Sequence, residues 1–166
     1  MKKIIILFCA FVLMLTYGFD EPYYNYSQFK PVFMLRSELE KSVKLEKPSE
    51  LRNPGKIYIK DNLIFIVEKY YGIHVIDNLN PEKPEKKAFI HIDGCIDLAV
   101  KDNILYADNA VDLISVKILS GLNSIEVTSR IKNAFPELIS PDGRTLNYQE
   151  SNARPENAIL VRWVKK

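Results

Sequence analysis

The sequence predicts a mostly β fold: antiparallel, four-stranded, blade-like repeats forming a partial β-propeller, with an N-terminal signal helix and one short helix. Three observations predict it. Short apolar or alternating runs recur from Lys56 onward, separated by Asp-Asn and Asp-Gly turns whose residues tolerate positive φ. The phrase Ile59-Lys60-Asp61-Asn62-Leu63-Ile64-Phe65 returns as Val100-Lys101-Asp102-Asn103-Ile104-Leu105-Tyr106, a shift of about 41 residues. Four short strands in each forty-odd residues is the arithmetic of a propeller blade.

The elements follow in order. Lys2 and Lys3 precede an apolar run over residues 4–15, which ends at Thr16-Tyr17-Gly18. A basic start, an apolar stretch shorter than the roughly twenty residues of a membrane span and a small residue at the exit describe a signal peptide. Residues 1–18 are therefore expected to be removed between Gly18 and Phe19. Cys9 follows Ile6-Leu7-Phe8 and lies too early for lipid attachment, so there is no lipobox. Once the leader is cleaved, Cys95 has no intrachain partner and reads as a small buried hydrophobe. Residues 19–54 are rich in aromatics and proline. Within them, 34–43 reads as a short helix, with Ser37 as N-cap and Glu40 completing a capping box.

Repeat 1 covers 55–94, with strands expected at 56–60, 63–67, 73–76 and 88–92. The second of these, Leu63-Ile64-Phe65-Ile66-Val67, is apolar on both faces and reads as an inner strand. Repeat 2 covers 95–137, with strands at 96–101, 104–107, 112–118 and 124–131. Residues 138–166 read as the start of a third, incomplete repeat, ending in a strand at 158–164.

Several phrases resemble the LVIVD-repeat proteins: Pro54-Gly55-Lys56-Ile57-Tyr58, Gly72-Ile73-His74-Val75-Ile76-Asp77-Asn78, Asn80-Pro81, Asp97-Leu98-Ala99-Val100 and Leu105-Tyr106-Ala107-Asp108. These are exported, β-propeller-like proteins of Bacteroidota envelopes. The resemblance covers nearly all of the chain beyond the leader. It implies a propeller-type fold and an exported location, periplasmic or in the outer envelope, and it carries over no catalytic residue. Many relatives are lipoproteins whereas this leader has no lipobox, and about two repeats are too few to close a ring, which takes about four. The expectations are, in order, a truncated form, self-association through open blade edges, or a compact barrel-like sheet.

A formal net charge of +2 gives no basis for binding nucleic acid, and membrane contact is expected only through an uncleaved leader. His74 and His91 lie in alternating strands, and Asp93, Asp97, Asp108 and Asp112 fit no calcium-loop spacing, so neither a metal nor a cofactor is expected. The best candidate surface is the loop Glu68-Lys69-Tyr70-Tyr71-Gly72, where adjacent tyrosines offer flat faces to a protein or glycan partner. The function expected is an exported, non-enzymatic binding or scaffold protein. The alternatives are a hydrolase of envelope polymers using Asp97 and Asp112, or a remnant of a longer propeller protein.

Overall fold

A computed structural model describes residues 27–166. The expected leader, its cleavage point at Gly18–Phe19 and the aromatic stretch through Tyr26 lie outside the described residues.

Among the described residues the fold is mostly β. The elements run β1 (Phe29–Leu35), α1 (Arg36–Leu39), β2 (Lys44–Glu46), β3 (Pro54–Lys60), β4 (Leu63–Glu68), β5 (Gly72–Asp77), β6 (Glu85–His91), β7 (Leu98–Lys101), β8 (Ile104–Asn109), β9 (Asp112–Ile118), β10 (Ile125–Ile131), α2 (Tyr148–Asn152) and β11 (Ala158–Lys165). They form three antiparallel sheets, none closed into a barrel. Sheet I is the meander β3-β4-β5-β6 with β2 added beside β6, sheet II is the meander β7-β8-β9-β10, and sheet III pairs β1 with β11.

The two meanders start alike because the same turn opens them. Asp61 and Asp102 both take positive φ, 52° and 53°. Their hairpins have the same register, with Lys60 opposite Leu63 and Lys101 opposite Ile104. The next loops differ by one residue. Three residues lie between Glu68 and its partner Gly72, whereas two lie between Asn109 and Asp112. Gly72 is required where it stands, since a Cβ there would lie 2.1 Å from the Ile90 carbonyl oxygen.

A shared register means that equivalent positions point the same way. The front of sheet I carries Phe65, Val67, Ile73, Val75, Ala88 and Ile90, linked to one another through the pairing of β4, β5 and β6. Its back carries Ile57, Ile59, Ile64 and Ile66. Carried forward by the hairpin register, the front of sheet II holds Ala99, Tyr106, Asp108 and Leu113, and its back holds Leu98, Val100, Leu105, Ala107, Ile114 and Val116. The largest core cluster joins the front of sheet I to the back of sheet II, with Ile92 and Cys95 of the connecting segment sealed between them. The sheets therefore stack in the same sense, front to back, and do not face each other as mirror halves. Tyr58 on the front of sheet I adds a hydrogen bond from its hydroxyl to the Val100 carbonyl, at 2.9 Å.

Sheet III sits at the end of this stack where the β4–β5 and β8–β9 loops emerge. Val161 packs with Leu39 of α1 and Ala110 of the β8–β9 loop, while Leu160 and Trp163 pack with Leu138 and Tyr70. The Trp163 indole N–H donates to the Leu138 carbonyl at 3.0 Å.

The structure departs from the sequence reading at three points. Residues 29–35 form a strand; β1 has a partner on one side only, and Pro31 is tolerated on such an edge. The helix expected over 34–43 shrinks to the single turn of α1, whose N-cap is Leu35 with no side-chain cap bond, so Ser37 and Glu40 make no capping box. A capping box does occur at α2, between Asn147 and Glu150, in a stretch read only as polar. The terminal strand, read as opening a third repeat, pairs along its length with β1.

Candidate functional site

The loop between β4 and β5 was the expected contact surface, and only part of it faces outward. Glu68 is buried, its carboxylate accepting the backbone N–H groups of Arg52 at 2.9 Å and Asn53 at 2.6 Å, with His74 Nε2 at 3.1 Å. Burial alone would raise its pKa; the two amides and the histidine outweigh it and hold the carboxyl below the usual value. Tyr70 has φ of 72° and turns inward. Its N–H donates to Cys95 O at 2.7 Å, its carbonyl accepts from Gly94 N–H at 2.9 Å, and its ring packs against the Leu138, Leu160 and Trp163 cluster. Burial pushes its phenol upward. Tyr71 is the outward-facing tyrosine, with the Arg162 guanidinium 5.2 Å from its ring centroid. The expected pair of exposed rings is a single ring.

The acidic residues divide just as sharply. Asp108 repeats the task of Glu68, taking the backbone N–H groups of Ile96 at 3.0 Å and Asp97 at 2.8 Å as they lead into β7. Burial dominates there and leaves its carboxyl above the usual range. Asp112 has no exposed side-chain surface. It accepts from Arg36 Nη1 at 2.6 and 2.7 Å, from Arg130 Nη1 at 2.7 Å and from Asn133 N–H at 3.0 Å. Burial opposes its ionisation, but the arginines and the amide win and hold its pKa low. Asp93 lies between His91 Nε2 at 3.0 Å and Arg162 Nη1 at 3.1 Å, and its carboxyl is lowered in the same way. Asp97 is solvent-exposed and pairs with Lys56 at 2.7 Å. Asp97 and Asp112, read from sequence as a hydrolytic pair, thus occupy opposite environments, and Asp112 offers a substrate no surface to reach.

His74 and His91 each face their own carboxylate, and among the described residues no group of three or more His, Cys, Asp or Glu side chains converges. Cys95 is fully buried, and burial, reinforced by the nearby Asp108, pushes its thiol well up.

Two concave surfaces stand out among the described residues. A cleft of about 730 Å³ opens between sheets I and II at the Asp61 and Asp102 turns, where Lys60 pairs with Asp61 and Lys87 with Asp77. A groove of about 580 Å³ lies over the front of sheet II, between β7–β8 and residues 135–139. Its lining is largely apolar: Ile96, Tyr106, Leu113, Phe135, Leu138 and Ile139. Ile96, Tyr106, Phe135 and Ile139 are all exposed. The sequence reading missed this groove, although Phe135-Pro136-Glu137-Leu138-Ile139 is an apolar phrase just after β10 that belongs to no strand. Phe135 is fixed there by its N–H, which donates to Val111 O at 2.9 Å.

Compared with protein-family models, with curated proteins and with solved structures, the chain finds no match in any of the three.

Proposed function

We propose that this chain is an exported, non-catalytic binding or scaffold protein of the cell envelope, built on the stacking plan of a β-propeller and related to the LVIVD-repeat proteins. The observation that carries the reading is the groove over the front of sheet II, an open and largely apolar surface. Contiguous exposed apolar surface of this kind marks a contact site. The employment of the acidic side chains supports binding over catalysis. Glu68 and Asp108 hold backbone amides, and Asp93 and Asp112 hold arginines. The front-to-back stacking of sheets I and II is the relation that successive blades have in a propeller. Export rests on the leader at residues 1–18.

The test is in-cell crosslinking. A photoreactive amino acid replaces Ile139 in cells expressing the full sequence, and the cells are fractionated after irradiation. The reading expects a chain beginning at Phe19 in the envelope fraction, with a discrete crosslinked product. A cytoplasmic chain retaining Met1, or no product above background, overturns it.

A further inference from the structure

Two exposed apolar areas at opposite ends of the stack are complementary to each other. Within the chain, the front of sheet I is covered by the back of sheet II. That leaves the part of the front of sheet II not crossed by residues 135–139, and the β3 side of the back of sheet I, beyond the segment 49–53 that covers Glu68 and His74; both display apolar side chains to solvent. On the back of sheet I, Ile57 is 59% and Ile59 is 66% exposed. On the front of sheet II, Tyr106 is 36% exposed, and Ile131, opposite Leu113, is 58% exposed. Isoleucines this bare, side by side on one strand, are unusual on a finished surface.

We propose that the front of sheet II docks the bare β3 isoleucines on the back of sheet I of a second copy of this chain. The inference rests on reading that front as a contact surface and names its occupant. Two further observations support a second copy. The first is shape. Where the front of sheet I has Tyr58, the equivalent position of sheet II is Ala99, and the groove opens over that small side chain. Ile57 and Ile59, bare and two residues apart on β3, are the apolar side chains that would fill this hollow.

The second is charge. Lys56 of sheet I and Asp97, just before β7 of sheet II, are joined at 2.7 Å, and they occupy equivalent places about 41 residues apart. Advancing the arrangement by one unit therefore sets Asp97 of one copy opposite Lys56 of the next. The pair complements itself. Both side chains remain more than half exposed, Lys56 at 54% and Asp97 at 59%, so each can take a second partner. Two copies would bring four stacked sheets, the smallest number at which propeller rings close.

The experiment is light scattering on the chain purified from cells expressing the full sequence, with two substitutions on opposite faces. Ile59→Lys alters the back and Ile131→Lys the front; both positions are exposed in the single chain, and an unchanged urea midpoint confirms that folding is intact. The unaltered chain is expected at twice the monomer mass. Each variant alone should dissociate, with affinity lowered by about 30-fold or more. Mixing the two variants should restore a one-to-one complex, because one untouched front still meets one untouched back. A monomer at every concentration overturns the proposal, as does a dimer indifferent to both substitutions. If the crosslink at position 139 leads only to a different envelope protein, self-docking fails while the binding role stands. A monomer with no crosslink removes both.

Discussion

Replacing Asp112 by asparagine keeps its volume and removes the charge that two arginines share. The side chain is wholly buried, and its partners Arg36 and Arg130 retain 20% and 12% of their side-chain exposure. Removing one partner of a buried ion pair costs about 3 to 5 kcal/mol, chiefly because the opposite charge is stranded. The residual exposure of both arginines lets water relieve part of that, which places the expected loss near the lower end, about 3 kcal/mol. Chemical denaturation should read this as a fall in the urea midpoint of roughly 1.5 M. The pH dependence gives an independent check. A carboxyl held below its usual value contributes stability that is present above the unfolded value, about 3.9, and is lost as pH falls through the folded one. Stability measured from pH 6 down to pH 2 should therefore fall more steeply in the parent than in Asp112→Asn, which has no charge to lose. A double-mutant cycle with Arg36→Ala isolates the share of that pair. A loss below about 1 kcal/mol, or identical acid profiles, would refute the claim that Asp112 anchors α1 and the Asn133 turn to sheet II.

Three further outcomes are expected. Gly94 has φ of 77°, and a Cβ there would lie 2.7 Å from the Ala110 backbone, whereas Gly143 has φ of 82° and nothing within 4 Å. Gly94→Ala should cost about 3 kcal/mol and Gly143→Ala about 1 by urea denaturation, and equal losses would contradict the close approach. Cys95 should alkylate about 100-fold or more slowly in the folded chain than in urea, followed by mass spectrometry of its own peptide; prompt native labelling would show that the seam between sheets I and II is open. Tyr70→Ala should destabilise by about 2 kcal/mol and Tyr71→Ala by no more than about 1, measured side by side.

The strands that recur in phase were legible because their instructions are local. Asp61 and Asp102 occupy the αL region that the turn chemistry anticipates, and Phe65 and Val67 lie in the core as their inner-strand setting requires. What escaped was set by distant partners. Strand β1 contains Pro31 and pairs only with a segment at the other end of the fold, so no periodicity nearby could reveal it. Strand β2 is three residues long and exists through its contact with β6. Ser37 carries the side chain of a helix cap, but the chain leaves β1 directly into the turn and Leu35 takes that position. The candidate loop was misjudged for the same kind of reason. Whether Tyr70 points outward depends on sheet III standing behind it, and the sequence gives no hint that β1 and β11 meet there. The groove likewise exists because residues 135–139 return across β7 and β8, a meeting between segments that say nothing about each other.

The pairing of β1 with β11 also fixes the order in which the chain can be completed. Phe29 lies opposite Lys165 and Leu35 opposite Ala158, so the partner is made more than about 120 residues later. At roughly 5 to 20 residues per second, that interval is on the order of 6 to 24 seconds on the ribosome. Throughout it, the meanders of sheets I and II can form in turn from neighbouring segments, while Val32, Phe33 and Met34 wait without their cross-strand neighbours. The first described strand to leave the tunnel is thus among the last to find its place. Wherever the chain folds, β1 keeps an unpaired edge until β11 is available to it.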